Sequence, residues 1–159
     1  LGFLLKIYFF AAPSAAGFDA GYCLLFFILA TKCSDIGAYS LGSLIGRHKM
    51  IPSVSPGKTW EGFVGAILLS TAAAMVMAHY WGSTRLGGMT LGHAAALGPV
   101  LAVGAVIGDL VESVFKRDSG VKDSGSFFPG IGGILDLLDS LLFNAPLMFL
   151  YLRLVLFND

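Results

Sequence analysis

Asp109 and Glu112 are three residues apart, and so are Asp136 and Asp139. A spacing of three puts each pair on one helical face. Carboxylates that converge from two helices suit a hard cation such as magnesium, which takes one or two carboxylates together with substrate phosphates. Between the pairs stand Lys116, Arg117 and Lys122, within the stretch SVFKRDSGVKDSGSFFPGIGGILDLLDS that covers residues 113 to 140. The competing reading makes these acids and bases a purely structural ion-pair network. Four acids at helical spacing beside three bases favour the cation site, because charge close to lipid is costly to keep.

Two neighbouring segments could handle phosphate. Gly130, Gly132 and Gly133 in PGIGGI immediately precede an apolar run, and backbone amides exposed at a helix N-terminus bind phosphate, although a tight re-entrant turn would use the same residues. Upstream, SVSPGKTWEG places Ser55, Lys58 and Thr59 in a basic, hydroxyl-rich loop. Its GKT suggests a nucleotide P-loop, but that pattern requires glycine where Pro52 stands and a preceding strand, which is not expected here. Thr59 is placed to cap the helix that follows, and Trp60 to anchor it at the membrane interface. A loop that merely sets topology is the alternative. Asp35 is the other acid at membrane depth. His48, His79 and His93 lack metal-ligand spacing and read as structural, and Cys23 and Cys33 read as buried small hydrophobes.

The elements that must position these groups are membrane helices. Of 159 residues, 56% are hydrophobic and 13% charged, and mean hydropathy is +0.80, far from a soluble domain with about a quarter of its residues charged. Net charge is zero, so no overall field attracts nucleic acid. Crossing a hydrocarbon core takes about 20 apolar residues. Four segments approach that length: 17–33, 62–81, 92–115 and 134–156. The second is rich in small residues suited to close helix packing, and Pro99 is placed to kink the third. Residues 1–12 read as the tail of an earlier helix, and 38–46 as too short to span. The fold expected is therefore an all-α, polytopic transmembrane protein, a single membrane domain over 1–159 with about four full spans and a partial N-terminal helix. Beginning at Leu1 in an apolar run, the chain reads as lacking an N-terminal part. Connections 46–61 and 116–133 each hold three Lys or Arg, against one in 82–91, which orients the two basic connections toward the cytosol.

Taken together the motifs resemble the phosphatidate cytidylyltransferases, the CDP-diacylglycerol synthases. The resemblance rests on Ser113, Lys116, Arg117, Lys122, Asp123, Ser124, Pro129, Gly130, Gly132, Gly133, Asp136 and Asp139, matched in order and spacing, and on SDIGAYSLGSLIGRHKMIPSVSPGKTWEG at 34–62. It departs at Ile131, where the family has His, and at Leu137, where it has Arg. It implies transfer of a cytidylyl group from CTP to phosphatidic acid, with Mg2+ essential and a second cation alongside it. Catalytic roles would fall to Asp109, Asp136, Lys122, Asp123 and Asp139. Metal would sit on Asp109 and Asp136, with Glu112 beside them. Phosphate contacts would come from Ser55, Lys58, Thr59, Lys116, Arg117, Gly130, Gly132 and Gly133. Expected partners are CTP, phosphatidic acid and the bilayer, with a homodimer as a further expectation and no nucleic acid. The expected location is the inner, cytoplasmic membrane, multi-pass, with the active site facing the cytosol. The rival readings are a CTP-dependent kinase of a membrane lipid alcohol and a degenerate, non-catalytic homologue.

Overall fold

A computed structural model describes residues 2–9, 17–118 and 134–157, with the helical backbone alone for 134–139. The elements run α1 (Gly2–Tyr8), α2 (Ala20–Ile45), β1 (Lys49–Ile51), β2 (Ser55–Thr59), α3 (Trp60–Trp81), α4 (Leu91–Asp118) and α5 (Ile134–Tyr151), which continues as a π-helical turn over Leu152–Leu156. Among the described residues α2, α3 and α4 are each long and apolar enough to cross a membrane, and Ser140–Leu156 is a shorter apolar helix beside them. The protein is an all-α, polytopic membrane protein with one small β-ribbon.

Small residues explain how the helices approach. A Cβ on Gly37 of α2 would stand 2.3 Å from the carbonyl oxygen of Gly65 in α3, and one on Gly65 would stand 2.4 Å from that of Gly37. Only glycine at both positions lets the two backbones touch. Further along, Ser70 of α3 donates to the Gly98 carbonyl of α4 at 3.0 Å. Here lipid supplies no hydrophobic drive between helices, so close packing and such hydrogen bonds hold them together.

The apolar core occupies one half of the bundle. Phe26 and Phe27 of α2, Met77 of α3, Leu97 and Leu101 of α4, and Met148 of α5 are buried there. That half lies away from the ribbon, toward the start of α2 and α4 and the end of α3. The connection on this side is closed by Asp19, which caps α2 through Gly21 N at 2.9 Å and pairs with Arg85 at 3.5 Å. The other half, where α2 ends and α3 begins, is left for the site.

Three expectations change. The first helix does not stop at residue 33 but runs to Ile45, so 38–46 is its last part and Asp35 lies within it. The poorly apolar sequence there stays helical because its glycine face packs on α3, a gain that hydropathy does not register. The connection 46–61 is not a plain loop: β1 and β2 pair antiparallel, Lys49 with Thr59 and Ile51 with Ser55. GKT therefore lies inside the second strand and still forms no P-loop. Cys23 is buried as expected, but Cys33 is only partly so. The remaining helices begin and end within a few residues of expectation.

Candidate active site

The ribbon is bolted to the start of α3. Thr59, the N-cap, accepts a hydrogen bond from Gly62 N at 3.1 Å, which satisfies one of the amides a helix start leaves open. Next to it Trp60 N donates to the His48 carbonyl at 3.0 Å, and His48 Nδ1 meets Glu61 Oε1 at 2.6 Å. His48 thus has a structural role at the foot of the ribbon. At the ribbon's turn, Arg117 near the end of α4 donates from Nη1 to the Ser53 carbonyl. This contact shows that the ribbon and the end of α4 share one face of the bundle.

Held in this way, β2 sends Lys58 across to α4. Its ammonium donates to the Val106 carbonyl at 2.9 Å and pairs with Asp109 Oδ2 at 2.9 Å. Lys58 is mostly buried, whereas the side chain of Asp109 is 49% exposed. One turn on, Glu112 pairs with Lys116 at 3.0 Å. These four groups, with Asp35, Ser55 and Thr59, line a cavity of about 500 Å³ enclosed by α2, the ribbon, α3 and α4. Asp109 is nine residues before the end of α4, about 14 Å at 1.5 Å per residue. The acid therefore stands deeper than the helix end.

Among the expected site residues, then, Ser55, Lys58, Thr59, Asp109, Glu112 and Lys116 come together, with the Thr59 hydroxyl engaged as the cap. Arg117 binds the ribbon and is not on the cavity wall. Asp136 and Asp139 lie in the first turns of α5, and their side chains fall outside the described residues, as do Lys122, Asp123, Gly130, Gly132 and Gly133 altogether. Among the described residues no three of His, Cys, Asp and Glu stand close enough to hold a metal ion. Three carboxylates line the cavity, Asp35, Asp109 and Glu112, and one or two are enough for a magnesium ion that keeps waters and shares substrate phosphates. The donor set fits that ion.

Sequence reasoning missed Lys32. It lies in the middle of α2, bonded to Asp35 Oδ2 at 3.0 Å and to Ser140 Oγ at 3.2 Å. The available signal was an ionised pair at spacing three inside a membrane-spanning helix, which by itself points to function.

A cavity that sets ammoniums beside carboxylates can grip phosphate and cation together, which is the requirement of phosphoryl and nucleotidyl transfer. The family model described as the cytidylyltransferase family matches residues 1–155. The chain belongs to the cytidylyltransferase family. It is 39% identical to a phosphatidate cytidylyltransferase of Haemophilus influenzae over 79% of this chain and 43% of that protein. Identity is 41% with one of Mycobacterium leprae, over 84% and 40%, and 39% with one of Staphylococcus haemolyticus, over 93% and 53%. The chain thus spans about two-fifths to one-half of the length of these cytidylyltransferases.

Proposed function

We propose that this chain carries the catalytic part of a phosphatidate cytidylyltransferase, which converts CTP and phosphatidic acid to CDP-diacylglycerol and pyrophosphate. The observation that carries the reading is the meeting of Lys58, Asp109, Glu112 and Lys116 in one cavity of a cytidylyltransferase-family chain. The relatives that bear the enzyme's name support the choice of substrates.

In this reading an oxygen of the lipid phosphate attacks the α-phosphorus of CTP. The bond from that phosphorus to the oxygen bridging to the β-phosphate breaks, and pyrophosphate leaves with the electron pair. Both reactants are polyanions, so the protein contributes by positioning them and offsetting their charge. Lys58 and Lys116 present ammoniums to phosphate oxygens, and Asp109 and Glu112 hold those ammoniums at the cavity wall. Asp109 and Asp136, with Glu112 beside them, would hold magnesium, which when bound neutralises charge on the transferring group; a second cation belongs to the same proposal. Lys122, Asp123, Asp139, Gly130, Gly132 and Gly133 enter through the family resemblance. The site faces the cytosol of an inner, cytoplasmic membrane in this reading, supported by the basic residues of the ribbon and of the end of α4 on one face. Self-association as a homodimer is proposed with it, and light scattering of the solubilised protein tests it.

The deciding experiment follows CTP labelled at either end, with phosphatidic acid, in membranes containing the full-length protein and magnesium. Label from the α-phosphate must enter the lipid as pyrophosphate is released. Transfer of γ-label to a lipid alcohol would instead establish a kinase.

A further inference from the structure

Lys32 is the thirteenth of the 26 residues of α2, so at 1.5 Å per residue it stands about 20 Å from either end. An ionised side chain at that depth is costly. Its ammonium and the Ser140 hydroxyl both donate to the same oxygen, Asp35 Oδ2, at 3.0 and 3.2 Å. One turn along α5, Asn144 is fully buried. It donates from Nδ2 to the Leu101 carbonyl of α4 at 2.8 Å and to Thr31 Oγ1 of α2 at 3.4 Å. Glycine at 104 makes room for it, since a Cβ there would stand 2.0 Å from Asn144 Oδ1.

These contacts form rungs. Position 144 meets 31 and position 140 meets 35, a step of four on each helix in opposite directions, as antiparallel helices require. One further step sets position 136 of α5 opposite position 39 of α2, and Tyr39 lines the cavity. A displaced rung strands the donors and acceptors of the buried Ser140, Asn144 and Thr31. The Lys32–Asp35 pair, 31% and 40% exposed, adds little net stability, because desolvation and screening offset its attraction. Its contribution is geometric.

We propose that Lys32, Asp35, Ser140 and Asn144 are positioning residues, a polar ladder that fixes the register of α5 on α2 and hence the height at which Asp136 stands relative to Asp109 and Glu112. The proposal rests on the metal-dependent reading of the cavity. Groups that orient metal ligands without touching the metal change its affinity or the activity by about 10- to 100-fold when removed.

The test uses the full-length protein in detergent, with Mn2+ alone as a spectroscopic probe read by electron paramagnetic resonance, beside melting curves and magnesium titrations of turnover. Ser140→Ala and Lys32→Met should each weaken Mn2+ binding about tenfold and raise the magnesium needed for half-maximal turnover to match. The melting midpoint should change little in Ser140→Ala and fall in Lys32→Met, which takes the ammonium from Asp35, and Ser140→Thr, which keeps the hydroxyl, should restore binding. Mn2+ affinity unchanged in Ser140→Ala and Lys32→Met overturns the ladder, as does a loss that Ser140→Thr fails to restore. Wild-type protein that binds Mn2+ but transfers no cytidylyl group overturns the proposed reaction and leaves the ladder standing. Wild-type protein that binds no Mn2+ overturns the ladder's proposed role.

Discussion

At the scale of the residue, the pairing of Lys58 with Asp109 at 2.9 Å is the contact on which the site turns. Asp109→Asn keeps the size of the side chain and removes its charge. Turnover should nearly vanish and not return at any magnesium concentration, while expression and helicity persist. Near wild-type rates at saturating metal would refute the ligand assignment. Lys58→Ala should reduce turnover by about 100-fold or more, as expected when a charge-stabilising donor is lost. Its hydrogen bond to the Val106 carbonyl adds a tether from ribbon to α4, so a modest fall in melting temperature should accompany the loss. A fall in stability as large as the fall in activity would return Lys58 to a role in architecture. The chemistry of these residues was legible in their type and spacing. Their pairing was not: Lys58 and Asp109 are 51 positions apart, and nothing local tells a lysine which carboxylate it will meet.

At the scale of the element, two devices place the site. The first is the glycine crossing of α2 and α3, where Gly65→Ala would put a methyl 2.4 Å from the Gly37 carbonyl. Overpacking of this kind costs roughly 1–3 kcal/mol, so the melting temperature in detergent should drop clearly. Gly92→Ala, whose Cβ would meet only Thr90 Oγ1 at 3.6 Å, should leave it almost unchanged and serves as the control. The second device is the cap. Thr59→Val preserves shape but removes the acceptor for Gly62 N, a loss of about 1 kcal/mol, and it should loosen the ribbon that carries Lys58. A raised KM for nucleotide, with smaller change in kcat, is the expected kinetic signature. The cap was visible in the sequence because Thr directly precedes a helical run. The ribbon was not, since SPGKT holds Pro56 and Gly57, which strands disfavour, and a single β-branched residue, Thr59, and pairs because the ribbon is fixed by Trp60, Glu61 and Arg117.

At the scale of the whole molecule, the division of labour is between two halves of one bundle. Apolar packing fills the half beyond the middle of the helices, and the charged cavity fills the half beneath the ribbon. Destabilising the core should therefore lower the melting temperature without moving KM in the protein that remains folded. Topology is open to a direct check, because the ribbon and the end of α4 share a face and the connection from Gly82 to Thr90 lies on the other. In protein with Cys23 and Cys33 replaced, a cysteine at Ser53 should react with an impermeant reagent supplied from the cytosolic side, and one at Ser83 from the opposite side. Ser83 labelled only from the cytosol would invert the assignment.

The sequence by itself determined the membrane class, the number of long apolar helices to within one, the residues of the charged cluster and the family. These are properties of composition, of local hydropathy and of short motifs, and each survives without knowledge of any neighbour. Tertiary structure alone decided that α2 continues past Asp35, that Lys58 meets Asp109, that Arg117 holds the ribbon and that Lys32, Asp35 and Ser140 join two helices. Each of these rests on contacts between segments distant in the chain, set by how closely glycine faces let backbones approach and by the hydrogen bonds and ion pairs that polar groups make between elements.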